Sequence, residues 1–159
     1  MDKGFERKFS FESEEAYKEA LKKSPKKDWV KKRSLGGNKS SIFVPVQTIE
    51  AIADNIFSEW DVIDEKYEVF FNEILCTVKI KYIPSYPYAE ERVCTGVGAK
   101  PIQCDKDSIP SLFPKGKKVN ALEYNAGAAR GSAICNAFST LGNLFGRNLN
   151  RNVEYNYKL

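Results

Sequence analysis

Histidine is absent from this 159-residue chain, and methionine occurs once. Without an imidazole there is no Ser/His/Asp or Cys/His nucleophilic pair, no His-containing zinc site, and no side chain whose ordinary pKa suits a general base near neutrality. Most hydrolase chemistry is therefore not expected. Cysteine is scarce and scattered: Cys76, Cys94, Cys104 and Cys135 stand ten or more residues apart, so no C-x-x-C knuckle can form. No apolar run approaches the roughly 18 residues of a membrane helix. The start, Met1-Asp2-Lys3-Gly4-Phe5-Glu6, has no apolar stretch behind its charges, so neither a membrane span nor a secretory signal is expected. The expected location is the cytoplasm, with the thiols reduced. Cys76 and Cys94 fall in strand-like patterns and Cys135 in a helical one, where free cysteine serves as a small buried hydrophobe. A phosphate-binding G-x-x-x-x-G-K-[ST] loop is also missing, and Gly96-Val97-Gly98 is too short and too strand-like to replace it.

What is present suffices for a core. With 42% hydrophobic and 13% aromatic residues, the chain is expected to fold as one domain, or one domain with a short arm. Net charge is only +4, yet its distribution is uneven. Residues 1–21 hold four basic and six acidic side chains, 22–39 eight and one, 40–69 one and seven, and 70–159 twelve and seven. The segments therefore carry −2, +7, −6 and +5. The dense run Lys22, Lys23, Lys26, Lys27, Lys31, Lys32, Arg33 and Lys39, interrupted by Trp29, is what a polyanion contact requires, although a solvated linker has the same composition.

Periodicity gives the elements. Residues 13–23 begin with an N-cap serine, place Glu14 and Glu15 in the first turn and stop before Pro25, which predicts a short peripheral helix. A Gly36-Gly37-Asn38 turn leads into an edge strand over 41–46 that contains Pro45. From Gln47 or Thr48 a helix presents Ile49, Ile52, Ala53, Ile56 and Phe57 on one side. Period two follows: Trp60 and Val62, then Tyr67, Val69 and Phe71, flanking a turn predicted at Asp64-Glu65. The next strand alternates cleanly, with Ile74, Cys76, Val78, Ile80 and Tyr82 on its buried face. Another runs through 92–98, and 99–118 reads as a long basic loop. Asn120-Ala121-Leu122-Glu123 predicts a capping box opening a helix to Leu141, with Gly127, Gly131 and Cys135 forming a stripe for close approach to the sheet. The fold class expected is α+β: an antiparallel meander of three or four strands packed on one long C-terminal helix, with short N-terminal helices. Residues 1–24 are expected to form a peripheral arm with a short helix, 25–151 the main domain and 152–159 a flexible tail.

No catalytic constellation emerges. Asp61, Asp64 and Glu65 are acidic neighbours without metal-ligand spacing, so no metal site and no cofactor are expected. Three blocks carry a resemblance. They are Trp29-Val30-Lys31-Lys32-Arg33-Ser34-Leu35-Gly36-Gly37, the meander ending in Thr95-Gly96-Val97-Gly98, and Ala133-Ile134-Cys135-Asn136-Ala137-Phe138-Ser139-Thr140-Leu141-Gly142-Asn143. Over roughly residues 27–150 the chain resembles the annealing domain of the Rad fifty-two superfamily, and within it the phage Sak-type single-strand annealing proteins.

The resemblance implies a β-β-β-α core assembled into homo-oligomeric rings or arcs. Single-stranded DNA would lie in a basic groove between the meander and a stalk of C-terminal helices, and pairing would need neither ATP nor metal. The setting would be a bacterial host cytoplasm, with a phage exonuclease or host single-strand-binding protein as candidate partners. Arg33 matches a DNA-contacting arginine and Glu123 an acidic groove residue. Where better-known members carry a Lys-Arg pair, this chain has Cys135 and Asn136, and Arg130 compensates only if it faces the groove. Lys31, Lys32, Lys39, Lys79, Lys81, Lys117 and Lys118 complete the expected DNA-binding set, with Trp29 or Tyr82 available to stack bases. Two other readings suit the same residues: a double-stranded RNA-binding domain, whose lysine motif Lys117-Lys118-Val119-Asn120-Ala121 resembles, and a structural oligomer with a basic protein-binding stripe.

Overall fold

The computed structural model describes residues 9–104 and 116–151; the tail expected at 152–159 and most of the loop expected at 99–118 lie outside them. The fold is α+β. A three-stranded antiparallel sheet, ordered β3-β4-β5, packs one face against a long C-terminal helix, and a separate two-stranded hairpin, β1-β2, stands beside it. Among the described residues no helix is long and apolar enough to cross a membrane.

Helix α1 (Glu14–Lys22) is capped by the Ser13 side chain, which accepts from Ala16 N. It is less peripheral than its thin apolar stripe predicts, because Tyr17 is fully buried between Phe11 and Tyr86. Glu14 also reaches Arg92 at 2.8 Å, which holds its carboxyl below the ordinary range. The basic run then enters β1 (Lys31–Gly36), paired with β2 (Lys39–Phe43). Pro45 is not in a strand; it sits at the N-cap of α2 (Val46–Ile56), where its carbonyl accepts from Thr48 and Ile49 and its missing N–H costs nothing. The helix buries Ile49, Ile52, Ala53 and Ile56 as expected, and Phe57 opens the next strand directly.

The predicted turn at Asp64-Glu65 does not form. Strand β3 (Phe57–Phe70) runs through it, and the chain reverses at Phe71-Asn72, where Phe71 has φ 51°. The reason is a bulge between Val62 and Asp64, which inserts one residue and shifts the alternation. Trp60 and Val62 oppose Tyr82 and Ile80 before it, while Glu65 and Tyr67 oppose Val78 and Cys76 after it. All four therefore share the inner face, and a change of phase takes on the sequence appearance of a turn. Strand β4 (Glu73–Pro84) buries Ile74, Cys76, Val78, Ile80 and Tyr82, and β5 (Arg92–Pro101) extends three residues beyond expectation.

Helix α3 (Ala121–Ser139) lies on this face through Ala129, Ala133 and Ala137. The close approach comes from strand glycines, not from the predicted helical stripe. A Cβ at Gly96 would lie 2.0 Å from the Ala133 carbonyl oxygen, and one at Gly98 would lie 2.3 Å from that of Ala129. Gly127 faces open space and Gly131 packs on Val46 of α2. The predicted capping box is also absent: Asn120 is left-handed at φ 59°, and its side chain makes no capping bond. Beyond α3, Phe145 stacks with Phe138 and Phe57 and closes the core.

Candidate nucleic-acid interface

The hairpin carries the densest cationic surface. Every residue of β1 is exposed, so Lys31, Lys32 and Arg33 are presented together, with Lys39 opposite Gly36. Alternation puts Lys31 and Arg33 on one face, across from Phe43 and Ser41. Arg33 is held there: its Nε donates to Ser41 Oγ at 3.1 Å, and its guanidinium lies 5.3 Å from the centroid of the Phe43 ring. Among the described residues none of these four cations forms an ion pair. Asn150 anchors the hairpin to the body, accepting from Ile42 N at 3.0 Å and donating to Ile42 O at 2.8 Å.

Next to the hairpin is a groove of about 260 Å³, lined by Phe43, Cys135, Asn136, Ser139, Arg147 and Asn150, among others. Cys135 and Asn136, which stand where the resembled family has its basic pair, thus border the hairpin. Burial pushes the Cys135 and Cys94 thiols up to about 11, so neither is a reactive thiolate near neutrality. Asn136 Nδ2 donates to Val97 O at 2.6 Å, and Arg147 Nε donates to Ser139 O at 3.0 Å. Arg147 was invisible to sequence reasoning. It belongs to no periodic element and reaches the groove only because the chain folds back through the 3-10 turn Asn143–Phe145.

Other expected residues are not gathered here. Arg130 does not line the groove beside the hairpin: on the side of α3 facing β3 it pairs with Glu65 at 2.8 Å, and Tyr67 also donates to Glu65. These bonds, Tyr67 first, hold the Glu65 carboxyl below its ordinary range. Residues 130 and 134 line a larger furrow of about 610 Å³ on the other flank of α3, with Glu50, Asp54, Asp61, Asp64 and Glu65. Among the described residues no group of three or more carboxylates or thiols is placed to hold a metal ion. Lys79 and Lys81 project from the sheet face opposite α3, and Lys81 lies 3.5 Å from both Glu59 and Glu91, which raise its pKa. Lys117, Lys118 and Glu123 sit at the start of α3, Glu123 being exposed. At 1.5 Å per residue, Glu123 is roughly 20 Å along the helix from Asn136. Of the two nominated stacking residues Tyr82 is buried, at 5% exposed, whereas Trp29 is half-buried against the core with Lys26 over its ring.

Comparison with protein-family models finds no match, and no curated protein matches the chain.

Proposed function

We propose that this chain is a polyanion-binding protein and not a bond-making one. Within that class, we read it as a single-stranded DNA-binding and annealing protein, similar to the phage Sak-type members of the Rad fifty-two superfamily, that pairs complementary strands without ATP or metal. The observation that carries the reading is the hairpin: Lys31, Lys32 and Arg33 on a fully exposed strand with Lys39 opposite, none of them paired with a carboxylate among the described residues, and Arg33 held in place by Ser41 and Phe43. Annealing asks for no more than this. A strand must be held by its phosphates, its base edges left open, and the stiffer duplex released. Assembly into a ring or arc belongs to the same proposal and is supported by the outer edges of β3 and β5, which pair with no further strand among the described residues.

The test is a salt titration of an oligo(dT) complex. Contacts to about four phosphates give a log-log slope near −3, and each lost contact flattens it by about 0.7. Arg33→Ala is expected to weaken binding and flatten the slope, while pairing of fluorescent strands proceeds unchanged with chelator and without nucleotide. Unchanged affinity and slope in a folded Arg33→Ala protein, or stronger competition by duplex RNA than by single strands, overturns the proposal.

A further inference from the structure

We infer that Phe43 is a nucleobase seat, in which one base of a bound strand stacks on the ring beside Arg147 and Asn136 while Arg33 backs the ring. The inference rests on the single-strand reading and adds to it a contact that does not depend on charge. Phe43 is half-buried at the end of β2 and lines the 260 Å³ groove, while the Arg33 guanidinium stands over its ring at 5.3 Å. That space is below the roughly 300–1,000 Å³ typical of drug-sized ligand pockets, and suits one flat ring at the edge of a longer chain. A ring already carrying a cation stack is fixed in orientation, and every base has a π-face to offer it.

The polar groups around the seat match a nucleotide. Arg147 commits its Nε to Ser139 O, which aims the guanidinium and leaves both terminal amino groups for a phosphate. Among the described residues Arg147 has no carboxylate partner. Asn136 commits its amide nitrogen to Val97 O, leaving its carbonyl oxygen as an acceptor. An exocyclic amino group or a ring N–H can meet that oxygen, and each natural base has one or the other, so the seat tolerates any sequence. Arg33 over the Phe43 ring and Arg147 in the same groove as that ring then offer cations for successive phosphates with a base between them. Arg147 thus supplies, from beyond the helix, the charge that α3 lacks at Cys135 and Asn136.

The experiment compares oligo(dT) with an abasic strand of equal length, against wild type, Phe43→Leu and Arg147→Ala. Stacking is worth a factor of about 5 to 160 in affinity. Wild type is expected to lose that factor on the abasic strand. Phe43→Leu is expected to lose it on oligo(dT), with an unchanged salt slope and little further loss on the abasic strand; Arg147→Ala is expected to flatten the slope by about 0.7. Should Phe43→Leu not fold, the abasic comparison on wild type decides alone. Equal wild-type affinity for both strands, or wild-type affinity in folded Phe43→Leu, overturns the seat while leaving single-strand binding intact. Failure of wild type to bind either strand overturns the proposed function itself, and the seat with it.

Discussion

Gly96→Ala adds one methyl group where β5 receives α3, and its cost follows from the contacts that methyl would make. The new Cβ lies 2.0 Å from Ala133 O, 2.4 Å from Ala137 N and 2.8 Å from Ala137 Cβ. Two of these atoms are backbone, so no rotamer change relieves the overlap. A carbon approaches a carbonyl oxygen comfortably at about 3.3 Å, so α3 must retreat by roughly 1.3 Å. Gaps of 0.5–1 Å already forfeit about a quarter to a half of a dispersion well, and the gap would run beneath Ala129, Ala133 and Phe138. Overpacking ordinarily costs about 1–3 kcal/mol; with the backbone as the obstacle, a loss of about 3 kcal/mol or more is expected. Gly127→Ala is the opposite case, since nothing lies within 4 Å of its Cβ and alanine is better than glycine in a helix by about 1 kcal/mol. At about 2–4 °C per kcal/mol for a chain of this size, Gly96→Ala should melt about 6–12 °C lower and Gly127→Ala about 2–4 °C higher. Urea unfolding followed by circular dichroism, with calorimetry, measures both. A Gly96→Ala protein within about 0.5 kcal/mol of wild type, or a Gly127→Ala protein destabilised as much as Gly96→Ala, would show that the strand glycines do not set the helix–sheet distance.

The Glu65 carboxyl is depressed in the folded state by Tyr67 and Arg130, so its contribution is present above the ordinary carboxylate pKa of about 4.3 and fades as pH falls through the depressed value. Glu65→Gln should flatten the acid limb of the stability–pH curve, by under about 1 kcal/mol because the pair is partly exposed; urea midpoints identical in shape for both proteins below pH 5 would rule this out. Light scattering on the eluting protein should give a mass well above the 18.0 kDa of one chain, and a monodisperse monomer with and without oligonucleotide would refute the ring or arc.

Elements defined by an unbroken period were legible in the sequence: the buried face of β4 and the stripe of α2 are where alternation and 3.6-residue spacing put them. Errors arose where one residue changed the phase or where two elements traded roles. The bulge after Val62 has the sequence signature of a turn, because both interrupt alternation and both tolerate Asp and Glu. Small residues on α3 correctly indicated a close approach. A sequence does not say, however, which partner supplies the missing Cβ atoms, and here Gly96 and Gly98 do. The candidate site divides similarly. Arg33 lies in a local motif that can be read from the sequence, whereas the Arg33–Phe43 stack needs the hairpin register, and the placement of Arg147 needs the chain reversal after α3. Arg130 could not be placed by helical phase alone, since its partner Glu65 reaches the inner face only through the bulge.

The furrow between α2, β3 and α3 holds five carboxylates against one arginine that is already engaged, and it lies on the flank of α3 opposite the groove. For an incoming polyanion the two flanks have opposite sign, and each acts within about 8 Å at physiological salt. On the proposed function, a strand approaching the furrow would be repelled before contact, while one approaching the hairpin would be drawn in. The field would then select the orientation of encounter, with fewer collisions wasted on the wrong side of α3 than geometry alone would give. Adding salt would erase that selection, and the association rate would fall through lost guidance as well as through lost attraction.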